Sequence, residues 1–342
     1  MTGVKTTILF IGDPHFKVKN VEFITLFTSR VCTFIESTNP DFVVIGGDLL
    51  DNHDRIDVEP LNLALTFVES VSQKSKTFIL VGNHDYKNNQ QFLSNNHWMN
   101  AMKQWPNVTI VDNIVEYKHC KNKHCNQQYL FVPYVPPGRF VEAIKTKIAD
   151  FSGFDAVFAH QEFYGCKMGP IESKVGDRWK KSWPLVISGH IHNKQWPQPN
   201  IYYPGSAMQH AFGQSVDNTI SLLTFFTENV EVEELDLKMP RLIIKYVRVT
   251  DLLRPLKIKN TNTKKYKLVV KGTNEEFQSF KKNNLYKQLL EQGFKFAFKL
   301  DELTINTVNI EPQKRFVDIL LEKVKQENDL ELELVCNNFL IN

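Results

Sequence analysis

The chain of 342 residues carries a net charge of +3, and 42% of its residues are hydrophobic, which is enough for one large domain and a smaller one. It has no apolar stretch long enough to span a bilayer and no signal-peptide pattern, and its five cysteines lack a scaffold spacing. These features argue against a membrane protein and a disulfide-stapled secreted protein. We therefore expect an intracellular protein, cytoplasmic or nuclear, with reduced thiols and no membrane partner.

Short apolar runs alternate with amphipathic stretches through the first two thirds of the chain. Runs typical of strands lie at 6–11, 42–46, 77–81, 109–111, 114–117, 129–132, 156–159, 185–187, 201–203, 219–226 and 231–235. Patterns typical of helices lie at 21–37, 60–74, 91–104 and 140–148, and a long loop is expected at 165–181. This alternation predicts an α/β fold.

Five short polar motifs stand at the ends of apolar runs. They are Asp13-Pro14-His15, Gly47-Asp48, Gly82-Asn83-His84-Asp85, Ala159-His160 and Gly189-His190-Ile191-His192. Any single motif is also explained as a polar turn. Five of them in order, each behind a predicted strand, indicate one shared site, because α/β folds build their sites at the carboxyl ends of strands.

Seven side chains in these motifs offer oxygen or imidazole nitrogen, and none offers a thiolate. Such a donor set suits two divalent metal ions about 3.5–4 Å apart. Two cations that close repel each other unless a carboxylate bridges them, and Asp48 is the candidate for that bridge. The remaining ligands are divided between the two ions: Asp13, His15 and His192 for one, and Asn83, His160 and His190 for the other.

Two further residues of the motifs are assigned to catalysis. His84 would protonate a leaving oxygen or stabilise a transferring phosphoryl group, and Asp85 would orient its ring. In an extended segment His190 and His192 point the same way, so both would reach the metal ions while Ile191 packs away from them.

Other residues near the motifs have weaker assignments. His53 and His210 are expected to be ordinary loop residues, although His210 is also placed to contact a substrate phosphate. The loop at 165–181 contains Arg, Lys and Trp residues, which would either contact a nucleic acid or form a surface lid.

Charge is unevenly distributed along the chain. Residues 1–240 carry a net charge of −3, residues 241–300 of +11, and residues 301–342 of −5. A compact basic unit is typical of a polyanion-binding module, although a solvated basic face without a partner is the alternative. We predict a catalytic domain at 1–240, a basic capping domain at 241–310 and a C-terminal helical tail at 311–342.

The basic segment and the tail also have recognisable local patterns. Strand-like runs at 266–270 and 294–299 flank a helical stretch at 275–291, as in a βαβ unit. The tail has an apolar stripe at helical spacing, formed by Phe316, Ile319, Leu320 and Val324. Such a stripe either packs on its own domain or docks on another protein.

Together, the five motifs resemble the calcineurin-like metallophosphoesterase superfamily over roughly residues 6–226. The resemblance implies a four-layer α/β/β/α sandwich, followed here by the small α+β capping domain. Within the superfamily the chain is similar to the SbcD-type DNA-repair nucleases, including those of phages and large DNA viruses. The likeness to that group rests on the motifs Gly82-Asn83-His84-Asp85, Ala159-His160-Gln161-Glu162 and Pro204-Gly205-Ser206.

The SbcD-type likeness implies manganese as the metal and DNA as the substrate, held over the metal ions by the capping domain. It also implies two partners, an SbcC-type coiled-coil ATPase gripped by the C-terminal segment and a second copy of the chain. One position departs from the pattern, because Asp51 stands where cellular SbcD-type enzymes usually carry a histidine.

We therefore predict a hydrolase, a two-metal phosphodiesterase acting on DNA. Asp51 also completes a Gly-Asp-x-x-Asp spacing that resembles phosphatases and cyclic-nucleotide phosphodiesterases, which is the alternative function. A binding scaffold that has lost the chemistry is a further alternative, and the complete set of ligands argues against it.

Overall fold

The computed structural model describes residues 6–53, 55–120, 127–227, 229–252, 258–301 and 323–324. Apart from its last two described residues, the predicted C-terminal tail therefore lies outside the described part of the chain. Residues 302–310 of the predicted capping domain lie outside it as well. Among the described residues, no helix combines the length and the apolar character needed to cross a membrane.

The described residues form strands and helices that alternate along the chain. The strands are β1 (Thr6–Ile11), β2 (Phe42–Ile45), β3 (Thr77–Leu80), β4 (Val108–Val111), β5 (Val115–His119), β6 (Gln127–Val132), β7 (Ala156–His160), β8 (Lys167–Met168), β9 (Ile171–Glu172), β10 (Leu185–Gly189), β11 (Gln195–Gln198), β12 (Ile201–Tyr203), β13 (Ile220–Phe225), β14 (Val230–Leu235), β15 (Arg241–Arg248), β16 (Lys264–Gly272) and β17 (Lys295–Leu300). The helices are α1 (Val21–Thr38), α2 (Val58–Ser72), α3 (Phe140–Lys145), α4 (Val249–Leu252), α5 (Asn274–Lys282) and α6 (Asn284–Glu291).

Two six-stranded sheets form the centre of the fold. The first has the order β14-β13-β1-β2-β3-β4, and the second has the order β11-β12-β10-β7-β6-β5. In the first sheet β1 to β4 are parallel, and in the second β6, β7, β10 and β12 are parallel. Antiparallel strands lie at one edge of the first sheet and at both edges of the second. The parallel strands of each sheet therefore end at a common edge.

The alternation of side chains along β1 shows how the layers form. Ile8 and Phe10 are fully buried in a cluster to which both sheets contribute. Leu9 and Ile11 point to the opposite face and are buried with residues of α1 and α2. The second sheet is covered on its other face by α3 and Trp179. This arrangement is an α/β/β/α sandwich, as predicted.

The first helix illustrates how the sequence sets these elements. Its buried stripe is formed by apolar residues at spacings of three and four, namely Ile24, Phe27, Val31 and Ile35. The helix ends at Asn39, which has a left-handed φ of 45° and donates its backbone N–H to the carbonyl of Ile35. Asparagine tolerates this conformation better than most residues, so the helix stops directly before β2.

A third sheet follows the sandwich. Its strands β15, β16 and β17 are all parallel and lie in chain order. The predicted βαβ unit is confirmed, but the single helix predicted at 275–291 is wrong. Two helices replace it, because the Asn283 side chain accepts a hydrogen bond from the N–H of Leu285 and begins a new helix.

Two other local predictions need correction. The helix predicted at 91–104 is wrong, since only Trp98–Gln104 is helical and forms a 3₁₀ turn. The His97 ring begins this turn by accepting the N–H of Met99, which prevents a longer helix from entering it. The loop at 165–181 contains the small antiparallel pair of β8 and β9.

Removing one ring between the two sheets tests the sandwich. Phe158 is fully buried and stacks on Phe131, with ring centroids 5.2 Å apart. We expect Phe158→Ala to lower the free energy of unfolding by about 3–5 kcal/mol, because the cavity cannot close between two rigid sheets. Urea unfolding measures the change. The control Val175→Ala, at a side chain that is 73% exposed, should change it by no more than about 0.5 kcal/mol. Equal losses of stability in both variants would contradict the placement of Phe158 in the core between the two sheets.

Candidate metal centre

The structure brings all seven predicted ligands into one cluster at the carboxyl ends of strands from both sheets. The loops after β1, β2 and β3 carry the ligands of the first sheet, and the end of β7 and the loop after β10 carry those of the second. The ligands are Asp13, His15, Asp48, Asn83, His160, His190 and His192, of which all but the last two are buried.

Asp48 lies at the centre of this cluster. Its Oδ2 atom is 3.3 Å from His160 Nε2 and 3.5 Å from His15 Nε2. Its Oδ1 atom accepts the backbone N–H of His84 at 2.8 Å. One carboxylate oxygen thus faces imidazoles on both sides, which is the position that a bridging ligand requires.

The other ligands form two groups on either side of Asp48. On one side, Asn83 Oδ1 is 3.0 Å from His160 Nε2 and 2.8 Å from His190 Nδ1. On the other, the Nε2 atoms of His15 and His192 face each other at 3.0 Å. Asp13 contacts the first of these groups, because its Oδ1 atom is 3.8 Å from His160 Nδ1 and accepts the backbone N–H of His190 at 2.8 Å. The assignment of the seven side chains to two ions stays a prediction.

The prediction that His190 and His192 lie in an extended segment and point the same way is wrong. His190 has a φ of 80°, so the segment is not extended, and the two rings diverge into the two groups. Asp13, His15 and Asp48 also have positive φ values, between 41° and 49°. Positive φ is unfavourable for residues with a side chain, and its concentration at these positions indicates that the ligands are held in place by the surrounding structure.

Buried charges dominate the electrostatics of the cluster. Burial alone would raise the pKa of Asp48, but the facing His160 holds it well below its usual range. Burial alone would lower the pKa of His160, but Asp48 and Asp13 raise it to about 9. Without a metal ion, a protonated imidazole therefore supplies the positive charge that the carboxylates require.

The pKa values of the two histidines in the last motif, His190 and His192, are lowered instead. Burial and the neighbouring His160 lower the pKa of His190 to about 3, and burial and His15 lower that of His192 to about 3. Both rings are neutral at physiological pH, and neutral imidazole is the form that binds metals. Asp13 Oδ2 is buried without a hydrogen-bond partner among the described residues. Its free oxygen and the converging imidazoles fit two divalent ions.

His84 lies beside this cluster, as predicted. Its Nδ1 atom is 2.7 Å from the backbone carbonyl of Asp51, so the ring donates its proton there and Nε2 remains available. A ligand atom of His84 lies within 4.8 Å of those of His15 and Asp48. Burial lowers the pKa of His84.

The prediction that Asp85 orients the His84 ring is wrong. The Asp85 carboxylate instead accepts hydrogen bonds from the backbone N–H groups of Leu49, Leu50 and Gly82 and from the indole N–H of Trp98. These bonds fix the loop after β2 against the loop after β3. Asp85 therefore positions Asp48, and the partner of His84 is the Asp51 carbonyl.

Close packing of these loops requires glycine at two positions. Gly47 has a φ of 99°, and a Cβ atom there would overlap the His160 ring. A Cβ atom on Gly82 would overlap the Asp48 carboxylate. The backbone thus approaches the ligands more closely than any other residue would allow.

Sequence reasoning missed the contributions of three residues near the cluster. Asp51 Oδ1 is 3.2 Å from His15 Nδ1 and 2.9 Å from Lys17 Nζ, so it holds the ring of a predicted ligand. The ring of His53 stacks on that of His84 at 4.7 Å. His210 lies with its ring centroid 4.8 Å from that of His15. The only sequence signal for Asp51 and His53 was their place just after Asp48.

Comparisons with known proteins agree with this site. Residues 6–194 match the family model described as calcineurin-like phosphoesterase. This match covers more than half of the chain, and it includes every predicted metal ligand. The chain belongs to the calcineurin-like phosphoesterase family.

Relatives in two invertebrate iridescent viruses extend the match beyond the family model. "Putative phosphoesterase 078R" of Invertebrate iridescent virus 3 is 56% identical over 352 residues, covering 99% of both chains. Protein 244L of Invertebrate iridescent virus 6, with the same description, is 47% identical and covers 81% of this chain and 98% of its own. These relatives support the expectation of a virus-encoded protein. A solved dimetal phosphatase from Danio rerio is 10% identical, with a TM-score of 0.43 over 67% of this chain and 95% of its own.

Replacing the central carboxylate tests the metal centre. We expect Asp48→Ala to lose both ions, because no anion would then offset the repulsion between them. His84→Gln should retain both, since its ring is hydrogen-bonded to a backbone carbonyl. Metal content after gel filtration in Mn²⁺ measures the difference. Equal metal loss in the two variants would make His84 a ligand and contradict the assignment.

Proposed function

We propose that this phosphoesterase is a metal-dependent phosphodiesterase acting on DNA, of the SbcD type. One observation carries the proposal. A cavity of about 610 Å³ lies between the sandwich and the three-stranded sheet, and it extends to His210 beside the metal centre. Four lysines line it: Lys19, Lys265, Lys267 and Lys295.

Three of the four lysines that line this groove lie on adjacent strands. Lys265 and Lys267 lie two residues apart on β16 and so point to the same face. Lys295 on β17 is the register partner of Lys267. Phe212 and Phe296 also line the groove. Spaced cations with interleaved aromatic rings suit the backbone and bases of a nucleic acid strand.

The chain's own residues supply binding and proton transfer in this proposal. When bound, two divalent ions would polarise the phosphoryl group and lower the pKa of a water molecule. His84 keeps Nδ1–H on the Asp51 carbonyl and exchanges a proton with an ester oxygen at Nε2. The groove lysines hold neighbouring phosphates and fix the strand over the centre.

The alternative function uses the same centre on small substrates, as a phosphatase or cyclic-nucleotide phosphodiesterase. Asp51 favours it by its spacing from Asp48. However, Asp51 is engaged by His15 and Lys17, so it is not free to bind a substrate. A small ester also has no use for four lysines beyond the metal centre.

A substrate panel separates these functions. With Mn²⁺, we expect the purified chain to cleave labelled DNA and bis-nitrophenyl phosphate, with little release of phosphate from a phosphopeptide. The reason is that the groove extends well past a single phosphate. Efficient phosphopeptide hydrolysis without DNA cleavage would favour the phosphatase alternative.

Charge reversal tests the groove itself. Changing Lys265, Lys267 and Lys295 to Glu should weaken DNA binding and make it less dependent on salt, because each lost phosphate contact removes about one released counterion. Hydrolysis of bis-nitrophenyl phosphate should be unchanged. Fluorescence anisotropy at several salt concentrations measures the slope.

The matched control reverses three exposed lysines outside the groove, Lys264, Lys282 and Lys287. It makes the same change in net charge, so it should leave more of the DNA affinity than the groove variant. Equal losses would show that only the overall charge matters. An unchanged salt slope in the groove variant would place the DNA elsewhere, with the hairpin of β8 and β9 as the next candidate.

Removal of the His84 imidazole tests proton transfer. His84→Gln should lower DNA turnover by about 10²–10⁴-fold while metal content is retained. Single-turnover cleavage with saturating Mn²⁺ measures the chemical step. Turnover within a few-fold of the unmodified chain would exclude a role in catalysis.

The proposed protein partners are an SbcC-type ATPase and a second copy of the chain. The tail expected to bind the ATPase lies outside the described residues, apart from Lys323 and Val324. These partners and the three-part domain division therefore stay predictions.

A further inference from the structure

His210 is carried over the metal centre by the segment that follows β12. This segment is fixed by two backbone hydrogen bonds, from Ala207 N–H to the Gly12 carbonyl at 2.7 Å and from Ser206 N–H to the His192 carbonyl at 3.1 Å. Further along, Gln214 Oε1 accepts the backbone N–H of His210 at 3.0 Å. The backbone of His210 is therefore held in place independently of its ring.

In the described part of the chain, the ring of His210 has no hydrogen-bond partner. The residue is only 7% exposed, and both ring nitrogens are buried without a hydrogen bond among the described residues. The surrounding rings are those of His15 and His192, with centroids 4.8 and 5.2 Å away. A buried imidazole whose donor and acceptor are both unused is unfavourable, so its position points to a ligand.

The geometry of the three histidines suits one metal ion. A ligand nitrogen from each of His15, His192 and His210 lies within 4.8 Å of the others. Two nitrogens on opposite sides of a metal ion, each bonded at about 2.1 Å, are about 4.2 Å apart. The three nitrogens therefore lie within about 0.6 Å of the widest spacing that two ligands of one ion can have.

We propose that His210 is an additional imidazole ligand of the metal ion held by His15 and His192. This ion then has three imidazoles, whereas the ion on the other side of Asp48 has two, from His160 and His190. Imidazole favours zinc, iron, cobalt and nickel over magnesium. The position beside His210 should therefore select these ions more strongly than its neighbour does.

Metal binding without substrate tests this role. The full-length chain and its His210→Leu variant are titrated with Co²⁺ alone, by calorimetry and by the visible absorption of the bound ion. Leu fills the space of the ring but offers no donor. We expect two ions in the unmodified chain and a loss of at least about tenfold in affinity for one of them in the variant. The absorption of that ion should change as well.

Two further variants serve as controls. His210→Asp restores a donor and should recover part of the lost affinity and the Co²⁺ absorption. His53→Leu removes an imidazole that belongs to none of the candidate ligand groups, and it should bind both ions as the unmodified chain does.

The inference rests on the metal centre of the proposed function but not on its substrate. Two ions bound with unchanged affinity and absorption in His210→Leu would overturn the role of His210 alone. An unmodified chain that binds fewer than two ions would instead contradict the proposed centre itself. Equal effects of His210→Leu and His53→Leu would show a general response to lost imidazoles and would also overturn the inference.

Discussion

The site depends on the burial of the Asp48 carboxylate between imidazoles of the two sheets. A buried anion is strongly unfavourable unless positive charge or hydrogen-bond donors face it, and the imidazoles of His160 and His15 face it at 3.3 and 3.5 Å. This compensation works only if strand ends from both sheets meet within a few ångströms. The left-handed backbone at the ligands and the glycines at 47 and 82 make that close approach sterically possible. The metal centre is therefore a property of the sheet–sheet packing as well as of its own loops.

The packing behind the site explains how such unfavourable geometry is maintained. The aromatic residues between the sheets, among them Phe10, Phe131 and Phe158, stack closely and hold the strands in register. In front of them, the Asp85 carboxylate joins the loops after β2 and β3 through backbone hydrogen bonds. Burial of apolar side chains thus holds the strands in place, and the buried Asp85 carboxylate holds the loops after β2 and β3. Both are needed before Asp48 can be placed.

Most strands of the two central sheets and the clustering of the seven ligands could be predicted from the sequence, because both depend on local patterns. The four layers were an expectation from the family resemblance. An apolar run that stops at a glycine predicts a strand end, and the order of the runs predicts which ends converge. The errors concern directions that local patterns do not determine. Asp85 turns toward backbone N–H groups in the loop after the neighbouring strand β2, and the left-handed turn at His190 changes the direction of the ring. His210 reaches the centre through a loop whose path is set by long-range contacts, so no spacing could reveal it.

The predicted ligands come from both sheets, so bound ions would affect the stability of the whole fold. Asp13, Asp48 and Asn83 belong to one sheet, whereas His160 and His190 belong to the other. A pair of ions bound among them would link the two sheets of the sandwich to each other. A ligand that binds only the folded state stabilises it by mass action. The free energy of unfolding of the enzyme would therefore rise with the concentration of free metal ions. Removing the ions with a chelator would then weaken the contact between the two sheets as well as abolish hydrolysis.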